Sequence, residues 1–299
     1  MSTIRPRISV IIPVFEQWDL LEACLAALQE QDFPADQFEV IVVNNEARAD
    51  IELAVHEPLN LRLVHETVPG SYAARNCGIE HALGDVLAFT DADCIPAPGW
   101  LKAITGTLAD ETIARVGGPV VDRLPADVDP IIAEYQHVLS YNTEAWSQHG
   151  WAITGNMAAK RSVFDDIGMF DGSMKSGGDR FWGMRAQEAG YAIAYSKGME
   201  IKHTARVDTE EILTRIRRIV HGDFDVLERN NDKAGMEKSL RRLKGRAWRP
   251  PLKFLSSKHL STPLGVWDRV RYIGFRWRIR REMLSAAQNF FAGGQAERR

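Results

Sequence analysis

The order of apolar and polar positions divides the chain into two regimes. In the first, short continuous apolar runs alternate with stretches whose apolar residues recur every three or four positions. Ile8-Ser9-Val10-Ile11-Ile12 predicts a strand, and Leu20, Leu21, Cys24, Leu25 and Leu28 then fall at helical spacing. Val40 to Val43 predicts a buried strand that ends on Asn44-Asn45, and Leu61 to Val64 a third. Ala73 to Leu83 predicts a helix stopped by Gly84, and Val86 to Thr90 a further strand. Runs that are apolar on both faces belong to a sheet covered by helices on each side, so the alternation predicts a βαβ series with a mostly parallel sheet. Right-handed crossovers gather the polar ends of such strands at one edge, where open α/β sheets bind ligands.

From Val116 to Ala205 the pattern is less regular. It contains Gly117-Gly118-Pro119, a helix predicted over Pro130 to Tyr141, and the Gly-rich Lys175-Ser176-Gly177-Gly178-Asp179. Beyond Thr209 the chain reads as helical and basic, broken by Gly245 and by Pro250-Pro251. No internal repeat is evident.

Composition adds little to this picture until charge is considered. The 299 residues, 45% apolar and 26% charged, are those of an ordinary globular protein with room for a full core. Three scattered cysteines, Cys24, Cys77 and Cys94, indicate neither a disulfide framework nor a zinc site, and predict a reducing, cytoplasmic setting. The first apolar stretch is too short for a signal peptide, and no stretch reaches the roughly 20 apolar residues that cross a bilayer. The net charge of −3 hides an asymmetry: residues 1–204 carry 15 Lys/Arg against 29 Asp/Glu, and residues 205–299 carry 22 against 11. An acidic body joined to a basic segment predicts contact with an anionic surface, nucleic acid or lipid.

The strand Val86 to Thr90 runs into Asp91-Ala92-Asp93. Two acids one residue apart repel unless a cation or hydrogen-bond donors compensate them, and hard oxygen ligands of this kind suit Mg²⁺ or Mn²⁺. Alone, the three letters also describe a turn or a helix cap.

Read with its neighbours, the Asp pair resembles a known pattern. The pieces are Ile8 to Glu16 (ISVIIPVFE), Glu39 to Asn45 (EVIVVNN), Ala74-Arg75-Asn76-Cys77-Gly78-Ile79 and Gly84-Asp85-Val86 leading to Asp91-Ala92-Asp93. Gly155-Asn156, Gly168-Met169-Phe170-Asp171, Gly177-Gly178-Asp179 and His203-Thr204-Ala205-Arg206 follow in order. Over about Arg7 to Arg206 the chain resembles glycosyltransferase family 2, inverting enzymes that move a sugar from a nucleotide donor. The resemblance implies an α/β, GT-A-type Rossmann-like, mostly parallel sheet flanked by helices, here with a helical basic C-terminal extension. It implies a catalytic domain over residues 1–206, with a nucleotide-sugar-binding half at 1–115 and an acceptor half at 116–206, and an extension at 207–299.

Carried onto this sequence, the resemblance makes Pro13, Phe15 and Glu16 a wall of the nucleotide pocket, with Asn44 or Asn45 at the base edge. Most relatives carry Asp at one or both of the last two positions; an Asn amide both accepts and donates, which opens the base preference beyond uridine. Arg75 is expected at the base and diphosphate, Asp91 at the ribose or metal waters, Asp93 on Mn²⁺ or Mg²⁺, and His203 as a further metal ligand. Asp179 is expected as the base that takes the acceptor's hydroxyl proton. The family usually writes Glu-Asp where this chain has Gly178-Asp179. Gly155-Asn156, Trp151 and Trp182 are expected to shape the acceptor pocket. The Gln-x-x-Arg-Trp motif of processive synthases is not present, which favours one sugar per encounter, from a nucleotide sugar (a UDP-sugar first) to a saccharide or lipid-linked acceptor.

In the tail, Lys233 to Arg281 holds 15 Lys/Arg against Glu237 and Asp268. Val266, Val270, Ile273 and Trp277 predict an apolar helical stripe flanked by arginines, suited either to the inner face of a cell membrane or to packing on the rest of the protein. Two other classes keep a place: a nucleotide-sugar-binding relative without transfer activity, and a nucleic-acid-binding protein acting through the tail. A sugar nucleotidyltransferase is disfavoured, because Pro13-Val14-Phe15-Glu16 stands where its Gly-rich phosphate loop belongs.

Overall fold

A computed structural model describes residues 7–48, 59–138 and 141–294. Along the chain run β1 (Ile8–Val14), α1 (Trp18–Gln29), β2 (Phe38–Asn44), β3 (Leu61–His65), α2 (Ser71–His81), β4 (Val86–Thr90), β5 (Cys94–Pro96), α3 (Trp100–Leu108), β6 (Ile113–Gly117) and β7 (Val120–Arg123). There follow α4 (Pro130–Val138), α5 (Thr143–Gln148), β8 (Asn156–Lys160), α6 (Arg161–Ile167), α7 (Gly178–Glu188), β9 (Ala192–Tyr195), β10 (Ile201–Thr204), α8 (Thr209–Arg229), α9 (Lys233–Ala247) and α10 (Val266–Phe291). Two compact units result: Met1–Val121 with Tyr141–Ser173 and Gly178–Thr204, and Asp122–Ser140 with Met174–Gly177 and Ala205–Arg299.

The first unit is built on a seven-stranded sheet in the order β3-β2-β1-β4-β8-β6-β9. The strands β3, β2, β1 and β4 are mutually parallel, so their carboxyl ends share one edge. Strand β8 is antiparallel to both β4 and β6, and its first residue, Asn156, pairs with Thr90, the last of β4. The turn entering β8 therefore arrives beside the Asp pair leaving β4. In a smaller sheet of order β5-β10-β7, β10 runs antiparallel to β5 with His203 opposite Cys94. That register brings His203 next to Asp93.

The apolar runs explain the core. Every residue of β2 is buried, and all of β1 except the partly exposed Pro13. Pro13, which has no N–H to donate, lies beyond the last β1–β4 pair, Ile11 with Phe89, where the missing donor costs least. Helix α1 buries Leu21, Cys24, Leu25 and Leu28, the stripe expected from spacing. In α2, Gly78 lies so close to Ile11 that a Cβ would overlap the isoleucine side chain; the glycine lets helix and sheet approach. Helix α2 covers Ser71–His81 and ends before Gly84 as expected, and α4 covers Pro130–Val138, with residues 139–140 of the predicted helix outside the described ones.

The second unit packs Ile212, Leu213, Ile216, Val220 and Phe224 of α8 with Tyr272, Phe275 and Ile279 of α10 and Ile131, Ile132 and Tyr135 of α4. The fully buried Glu134 accepts hydrogen bonds from the Ser261 and Thr262 amides and the Thr262 hydroxyl, at 2.8–3.1 Å. The apolar stripe expected on α10 needs one correction. Ile273 turns inward to join this core and is only 8% exposed, whereas Val266, Val270 and Trp277 do reach the surface. No helix among the described residues is long and apolar enough to cross a membrane.

Candidate active site

All residues below belong to the first unit. Strand β4 releases Asp91 and Asp93 at the carboxyl edge of the sheet, and each acid meets a different partner. Arg75, on α2 and almost fully buried, ion-pairs with Asp91, and its guanidinium also reaches the Ser71 carbonyl at 3.3 Å. Arg75 Nε is buried without a hydrogen-bond partner among the described residues. Buried donors are normally satisfied, so this one suits an acceptor oxygen from outside the chain.

Asp93 is 7% exposed and faces His203 Nε2 at 3.6 Å and Gln17 Nε2 at 3.4 Å. Tyr141 packs edge-on against the His203 ring, with centroids 5.6 Å apart. Beneath the acids, burial pushes the Cys24 and Cys94 thiols up, and the negative charges of Asp93 and Asp91 push them further. A carboxylate and an imidazole this close, in a locally negative field, form a donor set that fits Mn²⁺, which takes nitrogen as readily as oxygen; Mg²⁺ suits the carboxylate alone. Among the described residues no third His, Cys, Asp or Glu joins them, which matches ions that complete their shell with water and phosphate oxygens.

Asp179 opens α7. Its Oδ1 accepts from the Arg180 amide at 2.8 Å and its Oδ2 from the Thr154 amide at 3.3 Å, and the Tyr72 hydroxyl bonds it as well. Burial raises its carboxyl above the ordinary carboxylate value, against the lowering effect of the Arg180 amide and of the Arg75 charge. A base poised above the usual range takes a proton more readily near neutrality. The next residue, Gly155, leaves room for the other acid: a Cβ there would stand 3.2 Å from Asp91 Oδ2. Asp179 is thus hydrogen-bonded to the turn entering β8, and Asp91 lies beside the next residue of that turn.

The remaining expected residues sit at the same sheet edge with different occupations. Glu16 is exposed and has φ +57, and its amide donates to Glu46 Oε1 at 2.9 Å. Asn44 and Asn45 are buried, and both spend their amides on the chain's own backbone. Asn44 donates to the Arg48 carbonyl and accepts from the Glu46 amide. Asn45 donates to the Glu66 and Val68 carbonyls and accepts from Gly70. Trp182 is not a pocket residue: it is fully buried, stacked on Phe164 at 4.3 Å, with its indole N–H on the Gly168 carbonyl. Asn156 is likewise internal, held by Trp100 Nε1 and by the Pro119 and Met199 carbonyls. Tyr72 and Gln17 carried no signal in the sequence, since each meets its acid across about a hundred or eighty residues of chain.

Residues 9–175, more than half of the chain, match the family described as Glycosyl transferase family 2. The chain belongs to glycosyltransferase family 2. Among curated members of the family it is 32% identical over 232 residues to the glycosyltransferase AglE of Haloferax volcanii, covering 76% of each chain. It is 27% identical over 220 residues to the pre-mycofactocin glycosyltransferase of Mycobacterium tuberculosis, covering 70% of this chain and 45% of that one. Of solved structures, the mannosyltransferase PcManGT of Pyrobaculum calidifontis, in complex with GDP-Man and Mn²⁺, aligns with a TM-score of 0.56 at 22% identity, over 97% of this chain and 75% of that one. TarS 1–349 of S. aureus with UDP aligns at 0.51 and 17%, over 97% and 93%. These likenesses establish the GT-A-type fold of this family 2 glycosyltransferase.

Proposed function

We propose that this glycosyltransferase is a metal-dependent, inverting enzyme that moves one sugar from a nucleotide sugar to a saccharide or lipid-linked acceptor, in cell-surface polysaccharide or glycolipid synthesis. The observation that carries the reading is the gathering of Asp179, bonded to the Thr154 amide, Asp91, ion-paired with Arg75, and the Asp93–His203 pair at one edge of the sheet. Asp179 takes the proton from the acceptor hydroxyl as that oxygen attacks the anomeric carbon opposite the leaving nucleotide. Arg75, whose planar fork of donors suits phosphate oxygens, faces the diphosphate while its ion pair keeps Asp91 oriented toward the ribose or metal waters. Asp93 and His203 are the residues that would hold a divalent cation, which would supply positive charge to offset that growing on the diphosphate.

A nucleotide sugar as donor is supported by the solved structures this chain resembles, one in complex with GDP-Man and Mn²⁺ and another with UDP. A UDP-sugar stays the first candidate. Asn44 and Asn45 contribute by shaping the loop at the base edge, because their amides are engaged within it. The basic second unit holds the enzyme at the inner face of a membrane, where a lipid-linked acceptor resides.

Calorimetric titration with UDP, GDP and TDP, each with Mn²⁺ and each with EDTA, tests the reading. One nucleotide is expected to bind only with metal, and Asp93→Ala is expected to abolish that binding. Metal-independent binding unaffected by Asp93→Ala would remove the cation from the proposal, and the anomeric configuration of the product, read by NMR, decides inversion.

A further inference from the structure

The second unit has a concave feature of its own. Between the end of α9 and the outer face of α10 lies a groove of about 800 Å³ whose lining includes Trp248, Gly274, Trp277, Arg278, Arg281 and Glu282, the last ion-paired with Arg217 at 2.8 Å. Its floor is fixed: Trp277 Nε1 donates to the Ala247 carbonyl at 2.8 Å, and the Arg281 guanidinium lies 6.0 Å from the Trp277 ring centroid. Nothing stands within 4 Å of the place a Cβ on Gly274 would take, so the groove is open there. Trp248 at its rim is 81% exposed.

The groove continues into an apolar ridge. Helical spacing puts Val266, Trp267, Val270, Gly274, Trp277 and Arg281 on one face of α10. Trp267 is 81% and Val266 72% exposed. The segment leading from α9 to α10 adds exposed Leu252 and Leu255, and it is tied along α10 by Arg280 to the Arg249 carbonyl and Arg269 to the Leu255 carbonyl. Large apolar side chains rarely stay in water in such a row unless something covers them.

Charge identifies what covers them. Arg246 and Arg280 sit below their ordinary pKa, first through burial and then through repulsion, from Arg242 and Arg276 in one case and Arg246 and Arg276 in the other. These cations crowd one another, with only Glu237 and Asp268 as acids between Lys233 and Arg281, and the two acids at the groove itself are engaged, Glu282 by Arg217 at 2.8 Å and Glu210 by Arg278 at 2.6 Å. Crowded cations beside exposed indoles and aliphatic side chains match the two layers of an anionic leaflet, phosphate at the surface and acyl chain below it. Bases of a nucleic acid would meet Trp rings but leave the Val and Leu side chains wet.

We infer that the groove seats the headgroup phosphate of an anionic phospholipid on Arg281, beside the Glu210-paired Arg278, while Trp248, Trp267, Val266 and Val270 enter the interface around it. The inference rests on the peripheral attachment proposed above, and not on the sugar chemistry.

The test is cosedimentation of the full chain with phosphatidylcholine vesicles and with vesicles containing 30% phosphatidylglycerol, alongside nucleotide titration of the same samples. Binding is expected with the anionic vesicles alone. Arg281→Glu, and separately Trp248→Ala combined with Trp267→Ala, are expected to weaken it about tenfold or more while nucleotide binding is unchanged. Retention in the supernatant, or binding that neither variant alters, overturns the inference. So does equal displacement by millimolar inorganic phosphate, which marks a free-anion site, or tighter binding to a single-stranded oligonucleotide than to vesicles. Loss of nucleotide binding with membrane binding intact strikes the donor site instead and leaves this inference standing.

Discussion

Gly178 lies against the ring of Tyr72: a Cβ at position 178 would come within 2.8 Å of Tyr72 Cε2. The ring occupies the volume where a side chain at 178 would begin, packs against Phe170 at 5.8 Å, and sends its hydroxyl to Asp179. The glycine is therefore a steric requirement of this tyrosine. Gly178→Ala is expected to push the ring off Asp179 and lower kcat about tenfold or more, with nucleotide binding retained. Tyr72→Phe keeps the ring and removes a hydrogen bond that lowers the Asp179 pKa, so the acid limb of its pH–rate profile should move upward; an unmoved limb would detach Tyr72 from the base.

Asp179 itself gives a pH prediction with a definite sign. Its carboxyl is raised by burial, so the acid limb of kcat/KM is expected above the ordinary carboxylate range of about 4. Asp179→Asn is expected to cost about 10²–10⁴-fold in kcat, with donor affinity preserved. A raised folded pKa stabilises the fold below the unfolded pKa, and that contribution is lost as pH rises through the folded value. The Tm of Asp179→Asn relative to wild type should accordingly be more favourable at pH 8 than at pH 4. Thermal melts at the two pH values check this.

His203 brings a nitrogen with metal-ligand chemistry to 3.6 Å from Asp93 Oδ2. His203→Ala is expected to raise the Mn²⁺ concentration for half-maximal activity about tenfold and to narrow the preference for Mn²⁺ over Mg²⁺, because the oxygen donors left suit both ions. Metal titrations of activity with each ion measure both effects. Unchanged values would place His203 outside the cation's shell.

Arg115 predicts a link between core and site. This fully buried guanidinium on β6 donates to the carbonyls of Gly150, Gly183 and Tyr191 and to Gln187 Oε1, and burial pulls its pKa down to about 10. It thus clamps α7, the helix that Asp179 opens. Arg115→Ala leaves buried acceptors unpaired and should cost about 3 kcal/mol or more, read by urea unfolding, and should reduce kcat in the fraction that stays folded.

The sheet was legible wherever burial on both faces made a continuous apolar run, as in Ile8 to Ile12 or Val40 to Val43. It was not legible in β8, Asn156-Met157-Ala158-Ala159-Lys160, whose small residues fit between β4 and β6 and whose antiparallel direction no local pattern states. Asp91, Asp93 and Arg75 stood out because motif and spacing coincide. Tyr72 did not, since its contact with Asp179 exists only after α2 and α7 are brought together. Trp182 and Asn156 looked like pocket residues because aromatic and amide groups serve binding and packing equally well; only their burial tells the two apart. Ile273 matched the outer stripe of α10 by spacing, yet the breadth of the unit's core draws it inward.

The turn entering β8 has one more implication. Asp91 and Asp179 come from strand and helix ends nearly ninety residues apart in the chain, but they lie beside two consecutive residues, Gly155 and Thr154. The Thr154 amide holds one acid, and a side chain at position 155 would press on the other, so one short stretch of backbone bears on both. A change in that stretch would be felt at the two acids together, whereas a change in a loop elsewhere around the crevice would not pass through it.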